Sequence, residues 1–354
     1  MHGKDQAMIA SKYLTTKQGL VRTLTLTNQN GTAVTVTPLG ASLLSFKTKD
    51  KHGQLTDIVL GFETLDEYFD NTNTYFGSTV GRVANRTKGA QFSLNGETFQ
   101  IPQNEGHNNL HSGPDGYQLR IWEMDALDEA NNKVTFKLES LEGDQGYPGN
   151  LTLKTTYQLT QDNQLTISYE AVSDKDTPFS PTNHSYFNLN GHASGSIANH
   201  QLQLKASHYT PIQDDKSIPT GDILNVEGTA FDFRKPKTIG QDIEQALEQL
   251  QLAHGYDHNF AIDSPSLEEA FATVIGDQSG ITLNVFTNLP GVQFYTGNFL
   301  GEIAGKEATN YPNRSGFCLE TQHFPNAIST PTFPSPILKA NTPVIYETIY
   351  KVRS

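Results

Sequence analysis

One cysteine, Cys318, stands in 354 residues, so the chain can close no intrachain disulfide and build no cysteine-based zinc site. That scarcity fits a reducing compartment, and the cytoplasm is the expected location. Positive charge is scarce too: 25 Lys and Arg face 38 Asp and Glu, a net charge of −13. Affinity for nucleic acid rests on Lys and Arg displacing counterions from phosphates, so a nucleic-acid partner is set aside. No run approaches the roughly 18 apolar residues of a membrane helix, and MHGKDQAMIASKY at the start holds no apolar export core. Neither a membrane span nor export is expected. Only 18% of residues are charged against 36% hydrophobic, which is too apolar for wholesale disorder, and a chain of this length can bury a large core.

What the chain does have is alternation. Apolar and polar residues exchange places along Thr23–Thr27, Ala33–Thr37, Val134–Glu139, Leu151–Leu159, Leu165–Glu170, Gln201–Lys205 and Ile281–Thr287. A period of two puts one set of side chains on each face, the pattern of half-buried antiparallel strands. Gln161-Asp162-Asn163 separates two such runs and reads as a hairpin turn, since these side chains bond readily to local backbone. Only Thr238–Leu252 carries helical spacing, through Ile239, Ile243, Ala246 or Leu247, and Leu250. The expected fold is therefore mainly β with few short helices. No composition break, charge run or internal repeat divides the chain, so one domain over 1–354 is expected. Asn104–Gly116 and Asn188–His200 read as surface loops that could frame a cleft.

Histidine is the chemical resource, because it exchanges a proton near neutral pH. The pairs His107/His111 and His254/His258 have a spacing of four, yet Asn108 follows the first and Gly255 interrupts the second. A zinc helix needs glutamate after the first histidine and an unbroken helical face, so no metal is expected. In SPTNHSYFNL, alternation puts Thr182, His184, Tyr186 and Asn188 on one strand face. His184 is then either a core histidine bonded to a neighbouring strand or part of a pocket lining. Glu320 lies in the strand-like FCLETQ, where a carboxylate is solvated, buried with a partner, or held with a raised pKa for proton transfer. Asp257 in HGYDHNF and Arg86 in GRVANR pose similar choices, and Gln293 and Tyr295 share a strand face.

These segments, taken in order, resemble the aldose 1-epimerase (galactose mutarotase) family: GRVANR at Gly81–Arg86, NLH at Asn109–His111, PTNHSYFNL at Pro181–Leu189, GTAFDFR at Gly228–Arg234, GYDHNF at Gly255–Phe260, PGVQFYTGN at Pro290–Asn298 and FCLETQ at Phe317–Gln322. The resemblance implies a large antiparallel β-sandwich with a sugar cleft on one sheet and no metal or organic cofactor. It implies that Glu320 is the general base, His184 the general acid and His111 an aid at the ring oxygen. It assigns Asn85, Arg86, Tyr186, Asp257 and Gln293 to holding sugar hydroxyls or lining the site. The implied partner is a free aldose such as galactose or glucose, bound by a monomer or homodimer. One departure is visible: Ser112 stands where the family has glycine, a residue suited to positive φ or close ligand approach.

Interconverting anomers requires removal of a proton from the C1 hydroxyl and delivery of one to the ring oxygen. One base and one acid suffice, each tuned toward the working pH. Partial burial would raise a glutamate toward that range, whereas a neighbouring Arg86 would lower it. Two other readings remain at this point: a glycosidase using Glu320 and Asp257 as its carboxylate pair, and a sugar-binding module without catalysis.

Overall fold

Every alternating run of the sequence lies within a strand, overrunning it by at most one residue. The computed structural model describes residues 8–354. Leu151–Leu159 shows the rule at its clearest, with buried and half-buried residues strictly in turn. The expected hairpin with Gln164–Ser173 forms, Tyr157 facing Ile167. The two strands belong to a nine-stranded antiparallel sheet. Its centre is held by Val344–Arg353, which lies between Gln164–Ser173 and Thr282–Thr287. The C-terminus thereby closes a sheet begun at Glu123.

Among the described residues, two five-stranded sheets and five two-stranded pairs complete the architecture. The first five-stranded sheet runs as a meander from Met8–Thr16 to Leu55–Asp57. The second orders Leu224–Asn225, His208–Thr210, Asp257–Ala261, Gly291–Tyr295 and Cys318–Gln322. One buried cluster draws on all three, including Leu24 and Val34 of the meander, Leu153 and Ile167 of the large sheet, and Phe260, Phe294 and Leu319 of the second small one. Polar groups also tie the layers: the Tyr350 hydroxyl donates to the Leu319 carbonyl at 3.1 Å, and the Thr321 and Thr348 hydroxyls meet at 2.6 Å. The fold is mainly β, as the alternation implies.

The helix expected over Thr238–Leu252 is a correction. Among the described residues the one α-helix is Glu248–Ala253. Upstream, the backbone has other partners: Ile239 N–H donates to the His200 carbonyl at 2.9 Å and Gly240 N–H to Ala198 at 2.8 Å. Ile239 and Ile243 are buried all the same. Helical spacing marked the residues that enter the core, and tertiary backbone bonds decided how the chain delivers them.

Candidate active site

Three neighbouring strands make a polar floor. Asn259, Gln293 and Glu320 lie opposite one another across the second five-stranded sheet, and Asp257, Tyr295 and Cys318 form the adjacent row. Successive residues point to opposite faces, so Phe294 and Leu319 enter the core while Asp257, Gln293, Tyr295 and Glu320 line a cavity of about 530 Å³. Beneath them the Gln322 amide donates to Asn259 Oδ1 and Gln293 Oε1, both at 3.1 Å. That arrangement turns the Gln293 NH₂ toward Asp257, where it donates to Oδ1 at 2.9 Å.

Irregular backbone supplies the facing wall. Asn85 and His111 both sit at positive φ, 67° and 53°, and they lock each other: His111 N–H donates to the Asn85 carbonyl at 2.9 Å, and Asn85 N–H donates to His111 Nδ1 at 2.9 Å. With Nδ1 accepting, a neutral imidazole carries its proton on Nε2. Burial first, then His184 and Arg86, holds the His111 pKa well below its usual value. His111 is therefore a fixed hydrogen-bond donor. Ser112 does occupy a left-handed position, φ 58°. Its hydroxyl accepts from Val83 N–H at 3.0 Å and donates to the Val83 carbonyl at 2.9 Å, bonds that a glycine could not make.

His184 ends the short strand Thr182–His184, paired with Ser78–Val80. Its Nε2 lies 3.2 Å from Glu320 Oε1, with the two side chains 7% and 3% exposed. The approach misses hydrogen-bond alignment, so Oε1 is buried without a hydrogen-bond partner among the described residues. A buried acceptor left this way is costly. Burial, and secondarily Asp257, raises the Glu320 pKa well above the usual carboxylate range, against the opposing pull of Arg86. Burial also lowers His184 to about 4. Desolvation thus favours the neutral pair, with the shared proton on the carboxyl. The competition between burial and Arg86 goes to burial.

Arg86 is engaged by Glu105, its Nε donating to Oε1 at 2.8 Å and Nη2 to Oε2 at 3.4 Å. Burial works against its charge, but Asp257 and Glu105 raise its pKa all the same. Asp257 sits near Arg86, Gln293 and Glu105: burial raises its pKa, while Arg86 and the Gln293 hydrogen bond pull it down.

All eight residues singled out in the sequence, Asn85, Arg86, His111, His184, Tyr186, Asp257, Gln293 and Glu320, line this one cavity. Other expectations fare differently. Asn104–Gly116 contributes Glu105, Gly106, Leu110 and His111 to the lining, whereas no residue of Asn188–His200 reaches it. Asn188 leaves the face expected for it and donates to the Gly195 and Ser315 carbonyls. His254 lies at the rim, and His258 is buried among Tyr209, Phe231 and Gln249. Tyr75, Glu105 and Gln322 were missed. Gln322 was within reach, two residues beyond Glu320 on the same face; Glu105 lies in the loop Asn104–Gly116 without being singled out there, and Tyr75 carries no local signal.

The donor atoms of His111, His184 and Glu320 lie within 4.8 Å of one another, near enough to raise the question of an ion. His111 fits such a role poorly, because Nδ1 is taken and Nε2, the remaining donor atom, holds the proton.

The model of the aldose 1-epimerase family matches residues 22–351. The chain belongs to that family. It is 41% identical over 301 residues to galactose mutarotase of Sus scrofa, covering 85% of each chain. Over 316 residues it is 36% identical to aldose 1-epimerase of Escherichia coli K12, covering 89% of this chain and 90% of that one. Among solved structures, an aldose epimerase homologue from C. elegans superimposes with a TM-score of 0.85 at 30% identity, over 97% of this chain and 99% of its own. The likeness spans both the sheets that build the core and the loops that wall the cavity.

Proposed function

We infer that the protein is an aldose 1-epimerase, an isomerase that interconverts the α and β anomers of a free aldose by opening and closing its ring. The observation that carries the reading is Glu320 Oε1, buried in a polar cavity, unpartnered, and 3.2 Å from a histidine. A sugar C1 hydroxyl donating to Oε1 supplies the missing hydrogen bond. That bond favours the carboxylate and sends the shared proton to His184. Glu320 then removes the hydroxyl proton as His184 delivers its own to the ring oxygen, the C1–O5 bond breaks, and an open-chain aldehyde forms. Rotation about C1–C2 turns the other carbonyl face toward O5. Closure returns one proton to O1 and the other to His184, so the pair ends as it began.

The remaining residues hold the sugar still while C1 turns. His111 donates from Nε2 toward the ring oxygen, and Arg86, Asp257, Asn85, Gln293 and Tyr186 anchor or flank the other hydroxyls. Galactose and glucose are the proposed substrates, with carbohydrate metabolism in the cytoplasm as the setting and residues 1–354 acting as one domain, monomeric or homodimeric. No nucleic acid or membrane enters the scheme; no helix of the described residues is long and apolar enough to cross a membrane. A glycosidase using Glu320 and Asp257 is not favoured, because the relatives are epimerases by name. Polarimetry on freshly dissolved α-D-galactose and α-D-glucose, with a strong chelator present, tests the proposal. The expected result is equilibration far faster than in buffer alone. A rate equal to the spontaneous one, or one restored only by added zinc, would contradict it.

A further inference from the structure

One buried aromatic in the cavity has no part in the proton transfers described, yet touches both histidines. The Tyr75 ring packs edge-to-face on His111, with centroids 4.6 Å apart at 65°, and lies offset against His184 at 5.6 Å and 29°. His111 and His184 meet each other at 5.4 Å and 86°, so the three rings close on one another. Tyr75 is 6% exposed and has φ 56°. A bulky aromatic residue in the left-handed region is strained, and such positions persist only where the surroundings over-determine them. Here the neighbours on both sides are pinned: Asn71 Oδ1 accepts from the Thr74 hydroxyl at 2.9 Å and from Phe76 N–H at 3.1 Å. Ser78 N–H donates to the Tyr75 carbonyl at 3.1 Å. The loop is built to press this ring into the cavity.

Among the described residues the His184 ring has one other aromatic neighbour, Tyr186, tilted at 5.2 Å and 34°, but Tyr75 alone packs against both His184 and His111. The His184 Nε2 contact to Glu320 is misaligned, and Cys318 Sγ approaches Nδ1 only at 3.7 Å. Edge-to-face and offset packing restrain ring orientation, and proton transfer demands a defined angle as well as distance.

We propose that Tyr75 is a positioning residue whose ring holds His111 and His184 at the mutual orientation that proton delivery to the ring oxygen needs. This rests on the epimerase reading, and wild-type mutarotation tests that reading separately. For Tyr75 itself the variants are Tyr75→Asn, whose side chain tolerates positive φ, Tyr75→Met, which keeps apolar bulk without a ring, and Tyr75→Phe, which keeps the ring. Both ring-free variants should fold, bind galactose with KM within about threefold of wild type, and lose about 10–100-fold in kcat, the scale of a misplacement near the chemistry. Tyr75→Phe should retain kcat within about twofold. Wild-type kcat in a folded ring-free variant would overturn the proposal. So would a Tyr75→Phe loss as large as that of Tyr75→Asn, which would move the role to the hydroxyl. Failure of both ring-free variants to fold would make Tyr75 a core residue and equally overturn it.

Discussion

The strands Leu151–Leu159 and Cys318–Gln322 follow the same pleat and use it for opposite ends. In the first, buried Leu151, Leu153, Thr155, Tyr157 and Leu159 alternate with half-exposed polar residues. In the second every residue is buried: Leu319 and Thr321 toward the core, and on the opposite face Glu320 toward the cavity, with Cys318 in an apolar cluster and Gln322 beneath the cavity floor. The large sheet hides apolar area and leaves its polar face in water. Both sheets bury polar atoms without partners among the described residues, but in the large sheet these are the neutral hydroxyls of Thr155 and Tyr169, and in the small sheet they include a carboxyl oxygen, Glu320 Oε1. Burial of that kind opposes stability, so the comparison separates residues that hold the fold from residues whose chemistry the fold tolerates.

His184→Asn should have the largest effect on activity, because it keeps hydrogen bonding and removes the transferable proton. The account expects kcat to fall by roughly 10²–10⁴, read by polarimetry on folded protein. Near-normal kcat would return His184 to the role of a core histidine and blur the contrast between the two strands. Asp257→Asn comes next. It removes the charge that Gln293 Nε2 and Arg86 face, and a lost hydrogen bond to a charged group is worth about 1.5–3 kcal/mol. KM for galactose should rise by roughly 10–100-fold, the size of that energy, with a smaller change in kcat. Leu153→Ala, in the large sheet, should leave kcat per folded molecule unchanged while costing about 2–5 kcal/mol of stability. Denaturant unfolding and polarimetry on one preparation check both halves.

How far the two strands could be read from sequence follows from what each encodes locally. Leu151–Leu159 and its hairpin partner were legible as paired strands, because a period of two and the Gln161-Asp162-Asn163 turn are both contained in a few residues. Glu320 and Gln293 could be placed on strand faces by the same rule, but not their being opposite each other, which depends on strands far apart in the chain. Their roles came from the ordered family motifs. The segment Thr238–Leu252 misled because its apolar spacing reports burial, while the carbonyls of Ala198 and His200 took its backbone. Tyr75 was invisible: its neighbours His111 and His184 are distant in sequence, and nothing around it announces a positive φ. At Ser112 the sequence left open positive φ or close ligand approach; the backbone has positive φ, and the Val83 bonds that suit it to serine are again non-local.

Glu320→Gln addresses the central claim most directly, since it keeps shape and an acceptor while removing the proton acceptor for the C1 hydroxyl. The measurement is mutarotation rate, with melting temperature and galactose binding read on the same preparation at pH 5 and pH 8. The wild-type carboxyl has a raised pKa in the fold, against about 4.3 in the unfolded chain. Its contribution to stability is therefore fully present below about pH 4.3 and is lost as pH rises through the folded value. Glutamine does not titrate, so the variant should gain in melting temperature over wild type, and gain more at pH 8 than at pH 5. Galactose binding should change little, and kcat should fall by about two to four orders of magnitude. Wild-type turnover by the folded variant would contradict the account, as would a melting temperature that drops with activity lost only in proportion to unfolded protein.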